Sequence, residues 1–276
     1  MAGSRNCAMI KLSKQPLALV LIQARFSPIS NMDKYIPAIQ DDLRRLGYPL
    51  FALQKSLNIE VGSEGINRTE LPQWRFEQAD RRSSVIVDGG QVLLQTGSYE
   101  TFEDFMDEYL KILGAVMGQT EHLSFGLIQR LGLRYIDQVF KQDAGDSIDD
   151  YLRPELRGMS SGSFSDQVKR YAITVTGRTK FRPDQTGTMI IKVNRDKNEN
   201  GIDLPADVFD GAPDRPRKIA VGDEYALIDM DHFWEGRIGP GFDLGSIEAL
   251  FYGLHDMVID AFHGSVVTEE GIKKWT

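Results

Sequence analysis

The sequence predicts an α+β protein: a mostly antiparallel sheet covered by helices, with a ferredoxin-like element order in the first half and a strand-rich second half ending in a long helix. Three observations carry this. Residues 16 to 26 form a near-continuous apolar run, the pattern of a strand buried on both faces. Residues 126 to 140 alternate apolar and polar side chains and close the same segment. Between and after them, apolar residues recur at spacings of three and four, as in helices that lay one stripe on a sheet.

Taken in order, residues 1 to 15 are polar and read as a flexible leader. After the first strand, Ser30 and Asn31 mark a helix start, with Met32, Ile36, Ile39, Leu43 and Leu46 on one face and Gly47 as the stop. Pro37 is discordant: either the regular helix begins there, with proline in its first turn, or the first turn is kinked. Residues near 50 to 61 and 74 to 96 read as strands, and Asp88, Gly89 and Gly90 signal a hairpin turn. Thr101 and Asp104 resemble a capping box, followed by the apolar face of Phe102, Phe105, Met106, Tyr109, Ile112, Leu113 and Val116.

Residues 141 to 167 lack periodicity and are rich in Asp, Gly and Ser, so they join a first half, 16 to 140, to a second, 168 to 276, packed on it as one unit. Weak duplication between the halves stays open, since both combine strands with a helix. The second half supplies strands near 168 to 180, 187 to 194 and 223 to 234. Then comes a periodic helix with Ile247, Leu250, Leu254, Met257, Val258 and Ala261 on one face, and a short capping turn from Thr268 to Trp275.

Composition narrows the function classes. The 276 residues are 41% hydrophobic and 26% charged, as in a soluble globular chain. A net charge of −8 argues against nucleic acid as the main partner, because that affinity needs clustered Lys and Arg. The basic clusters Arg178, Lys180, Arg182 and Arg215, Arg217, Lys218 read as solvated surface in so acidic a chain. The one cysteine, Cys7, builds no disulfide framework, and no apolar run reaches the roughly 18 residues of a membrane span, so a cytoplasmic protein with no membrane partner is expected.

Two motifs suggest chemistry. Asp196, Asn198, Asn200 and Asp207, with Gly201 at the sixth position, match a calcium-loop spacing, in which side-chain oxygens converge on Ca²⁺ and glycine permits the sharp turn. A strand-like stretch precedes them where that motif needs a helix, so a polar hairpin loop explains the same residues. In the strand around 225 to 234, Tyr225, Leu227, Asp229, Asp231 and Phe233 share a face, so two carboxylates interrupt an apolar row. Arg130 and Arg134 share a face of another strand. An Asp/Arg cluster linking the halves is one reading; a polar pocket for a charged ligand, with His232 beside it, is the other. No histidine pair has the i, i+4 spacing of a zinc helix, no serine sits in a nucleophile elbow, and residues 158 to 164 lack the ending of a phosphate loop.

The run at 16 to 26, Trp74 and Phe76, Tyr99 with Phe102 and Phe105, the stretch from Gly132 to Asp137, and Leu227 to Asp231 followed by Leu254 and His255 together resemble a sporadically distributed bacterial protein family of unknown function. That resemblance implies a bacterial, cytoplasmic, patchily inherited protein, of the kind found in accessory, mobile or defence loci, and implies no reaction. The expected function is therefore a non-enzymatic accessory protein binding a partner protein or a small anionic ligand near Arg130, Arg134, Asp229, Asp231 and His232. The alternative is a metal-assisted hydrolase or nucleic-acid-processing enzyme using the Asp pair.

Overall fold

A computed structural model describes residues 14–62, 65–120, 126–159, 170–209, 211–215, 218–239 and 241–276, with side chains for all of these but 56–62, 65–70 and 209. Its strands are β1 (Leu17–Phe26), β2 (Leu50–Gly62), β3 (Gly65–Glu77), β4 (Ser83–Asp88), β5 (Gln91–Thr96), β6 (Ile128–Phe140), β7 (Tyr171–Arg182), β8 (Gln185–Lys197) and β9 (Glu224–Ile238). The helices are α1 (Ile36–Arg45), α2 (Phe102–Gln119), the short α3 (Ala206–Phe209), α4 (Leu244–Ala261) and α5 (Glu269–Trp275). All nine strands join one sheet in the order β2-β3-β4-β5-β1-β6-β9-β8-β7, and every neighbouring pair is antiparallel.

β1 explains the arrangement. Val20, Ile22, Ala24 and Phe26 point into the core shared with α1, α2 and α4, while Ala18, Leu19 and Leu21 point to the opposite face, into a small second cluster with Ile136, Leu204 and Leu227. A strand apolar on both sides belongs in the middle of a sheet, and β1 lies between β5 and β6. Four strands separate α1 from α2, where the sequence suggested about three, and the sheet continues through the 141 to 167 boundary because β6 pairs with both β1 and β9. One plan recurs twice along the chain. A central strand, β1 or β6, leads to an antiparallel meander whose last strand, β5 or β9, returns beside it, and an 18-residue helix follows each time.

Local signals place the helices. α1 starts at Ile36 with Pro37 in its first turn, so the regular helix begins later than Met32, which lies in a separate short 3-10 turn at Met32–Lys34. Gly47, at φ +96°, ends this segment in a conformation that costs other residues more. Thr101 caps α2 by accepting from the Asp104 amide at 3.1 Å and donating to its carboxylate at 2.6 Å. Thr268 caps α5, whose Trp275 stacks on Tyr151. The leader up to residue 13, with Cys7, lies outside the described residues, as do Arg217 and most of 158 to 164. No helix among the described residues is long and apolar enough to cross a membrane.

Candidate functional site

The helix-free face of the sheet carries the charged residues singled out in the sequence. Register puts Arg134 opposite Asp231 and next to Asp229. Arg134 donates from Nε and Nη2 to both Asp229 oxygens, at 2.7 and 2.9 Å, and from Nη1 to Asp207 at 2.6 Å. Burial opposes its charge, yet the bonds from Asp229 and Asp207 outweigh that and raise its pKa. Arg130 lies over the Phe233 ring and donates to Gln23 at 2.5 Å and to Asp231 at 3.2 Å. Burial pushes the Asp231 carboxyl up, and Arg130 partly restores it. Lys192 stands 3.8 Å from Asp229. The structure thus brings Arg130, Arg134, Asp229 and Asp231 together as a network of opposite charges in which each guanidinium already has carboxylate partners.

His232 is not part of that group. It faces the helices, where Nδ1 lies 2.9 Å from the Leu254 carbonyl and Nε2 lies 2.6 Å from Thr179 Oγ1. A carbonyl only accepts, so Nδ1 carries the proton and Nε2 accepts from threonine. Burial lowers the ring's pKa and keeps it neutral.

The four calcium-loop residues share no described partner. Asp196 caps its own turn and pairs with Arg170 at 3.3 Å, Asn198 is buried and donates to the Ile219 carbonyl, Asn200 is exposed, and Asp207 is held by Arg134 from α3. Among the described residues no group of three His, Cys, Asp or Glu side chains is placed to hold a metal ion. The loop's described contacts tie it to the sheet. The connection from β8 to β9 lies across the helix-free face, fixed by Gln138 Nε2 to the Asp203 carbonyl (2.7 Å), Gln95 Nε2 to the Gly211 carbonyl (2.7 Å) and Arg215 to Asp203 (2.9 Å).

The sequence reading missed a different site. On the helix side, at the end of the sheet nearest the N-terminus of β1, a cavity of about 200 Å³ lies between the strands and α4. Its walls include Leu17, Met230, Val258 and Phe262, with Tyr99, Tyr135 and Asp137 among them. Tyr135 and Asp137 are two residues apart on β6 and so share its helix-facing side. The β1–β6 register shifts between Leu17 and Leu19, directly beside Asp137, a bulge of the kind that re-aims side chains at sites.

Asp137 is 4% exposed, and no described residue donates a hydrogen bond to its carboxylate or forms an ion pair with it. Burial alone pushes its pKa up to about 7. Tyr135, by contrast, is bonded: its hydroxyl lies 2.9 Å from His255 Nδ1, and His255 stacks flat on Phe102 with centroids 4.0 Å apart. Burial drops the His255 pKa to about 4, so the ring that shares this hydrogen bond with Tyr135 is neutral. Tyr99 meets Tyr135 edge-on at 5.9 Å.

An uncompensated carboxylate in an apolar hollow is costly, and such groups cluster where proteins bind or react. The sequence carried one signal of this: Asp137 occupies an apolar-facing position at the end of an alternating strand. Compared with known proteins, the chain matches no family model and no curated protein.

Proposed function

We propose that this chain is a non-enzymatic accessory protein that binds a small ligand in the cavity beneath α4, with Asp137 as the recognising group. The observation that carries the reading is a carboxylate buried to 4% exposure, without a described partner, at a cavity walled by Leu17, Met230, Val258 and Phe262. Ligand sites have this make-up: mostly apolar walls and a few convergent polar groups. A small anion at the Arg/Asp cluster is less well supported, since Arg134 already uses three nitrogens on Asp229 and Asp207. The same bonds speak against a metal-assisted hydrolase built on Asp229 and Asp231. The resemblance to a sporadic bacterial family supports the accessory role, in the cytoplasm and linked to a mobile or defence locus. The order β4-β5-β1-β6, with α1 and α2 on one face, supports reading the first half as a ferredoxin-like unit extended by the β2–β3 hairpin.

Fragment screening by thermal shift and ligand-observed NMR tests the site. A cavity of about 150 Å³ takes benzene, so fragments of roughly six to ten non-hydrogen atoms are the right size here. Binding should raise the melting temperature by mass action, and Ile259→Trp, which fills the cavity from a half-buried wall position, should abolish it. Fragments that bind equally well to Ile259→Trp, or a library that never binds, would refute the reading.

A further inference from the structure

Resting on the reading of the α4 cavity as a ligand site, we infer that its ligand is a small organic cation, an alkyl- or arylalkyl-ammonium whose charged nitrogen meets the Asp137 carboxylate while its apolar body fills the space against α4. Three features of the lining choose this class over a neutral or anionic compound.

The first is charge. Among the described residues Asp137 and Glu100 are the acidic ones in the lining, and none of the lining residues is a lysine or arginine. His263 is the one described lining group able to become cationic, and burial lowers its pKa. The N-terminus of α2 offers an anion little, because Thr101 and Asp104 already bond to each other there and the first turn carries Glu103 and Asp104.

The second is the missing donor. A carboxylate accepts and cannot donate once ionised. The Tyr135 hydroxyl is bonded to His255, and among the described residues none of the other polar lining groups, Gln15, Tyr99, Glu100, Thr101 and His263, is hydrogen-bonded to the Asp137 carboxylate. An ammonium brings up to three donors and a compensating charge, both of which the described residues leave the buried carboxylate without.

The third is the set of rings. Tyr99, Tyr135 and Phe262 all line the cavity. Aromatic faces attract a cation, most strongly where water is excluded.

Size follows from volume. Scaling from a benzene-sized cavity of about 150 Å³, some 200 Å³ suits about eight non-hydrogen atoms. Benzylammonium is that size, and benzyl alcohol and benzoate are its near-isosteric neutral and anionic counterparts.

Proton linkage gives the inference a signature of its own. Besides Asp137, the titratable groups in the cavity lining are Tyr135 on the same strand, Tyr99 and Glu100 just before α2, and His263 in the turn after α4; Glu103 and His255 act on Tyr135 from behind it. Asp137 holds its proton below pH about 7, and an ammonium prefers the ionised form. Affinity should therefore weaken about tenfold for each pH unit below 7 and level off above it, until the amine itself deprotonates near 10.

The deciding experiment is titration of the full chain with benzylammonium, benzyl alcohol and benzoate at pH 5 and pH 8, by calorimetry and thermal shift. Wild type, Asp137→Asn and Ile259→Trp are compared. The expected result is binding of benzylammonium at pH 8, at least tenfold weaker binding at pH 5, and loss in both variants. The alcohol should bind weakly, indifferent to pH, and benzoate not at all. Binding of alcohol or benzoate at least as tight as that of the amine, unchanged in Asp137→Asn but lost in Ile259→Trp, would overturn the cation and leave the ligand site standing. Failure of all three compounds on wild type would overturn both.

Discussion

Replacing Asp137 by asparagine should stabilise this protein, and only above a certain pH. The carboxyl's pKa is raised from 3.8 to about 7 by burial. Between those values the folded protein holds a proton that the unfolded chain has released, so the contribution is neutral below pH 4, becomes increasingly unfavourable as pH rises to about 7, and levels off above that, where both states are ionised. Each pH unit in that window is worth about 1.4 kcal/mol. The folded state should thus lose roughly 4 kcal/mol by pH 8 on account of this one side chain. Asparagine fits the same space, carries no charge and does not pay for ionisation. Urea unfolding reads the difference well, because Trp74, Trp234 and Trp275 are all buried and report by fluorescence. The two proteins should unfold at nearly the same urea concentration at pH 4.5. At pH 8 the variant's midpoint should lie higher by about 1 M, taking a slope of about 3 kcal/mol/M. Parallel pH curves, or a variant weaker than wild type at pH 8, would show that the carboxylate has a donor in the folded state and would remove the physical basis of the proposed site.

Acid should act through His255: its folded pKa near 4 lies below that of the unfolded ring, so stability falls as pH drops from about 6.5 to 4, and His255→Gln should remove roughly 3 kcal/mol of that fall in the same unfolding series. Asp229→Ala strands the largely buried Arg134, which keeps only Asp207, and should cost about 3 kcal/mol; Asp207→Ala, whose carboxylate is 62% exposed, should cost under about 1 kcal/mol, and equal effects would contradict the network described here. Gly97→Ala would place its Cβ 2.6 Å from the Asp214 carbonyl oxygen and 2.7 Å from Arg215 Cγ, so it should loosen the connection over the helix-free face. That appears as faster proteolysis within 198 to 215 and a loss of about 2 kcal/mol, and an unchanged cleavage pattern would count against the contact.

The parts of the fold that could be read in advance were those in which local chemistry acts alone. The two-sided apolar run of β1, the capping pair Thr101 and Asp104, the turn at Gly89 and Gly90, and the stripe of α4 each rest on residues within a few positions of one another. The alternation that set Asp229 and Asp231 on one face of β9, and Arg130 and Arg134 on one face of β6, was equally visible, and strand pairing brought the two rows together. Asp207 as the second partner of Arg134 was not visible, because it depends on how the long β8–β9 connection crosses the sheet. The calcium-loop spacing likewise gave no hint of the partners its residues take: Asp196 pairs with Arg170, Asn198 donates to the Ile219 carbonyl and Asp207 is held by Arg134. Asp137 escaped notice because its significance lies in what does not reach it, a property of the whole packing around α4 and of the bulge at Leu17.

The pairing of β6 with β9 has a consequence for how the chain can be divided. β6 ends the first half, and it finds one ladder partner, β1, in that half and the other, β9, in the second. A polypeptide cut between residues 141 and 167 would yield two pieces, one with a bare row of amides and carbonyls along β6 and one with the same along β9. Neither should be monomeric and well ordered alone, while mixing them should restore the parent by complementation, as two torn edges that fit only each other.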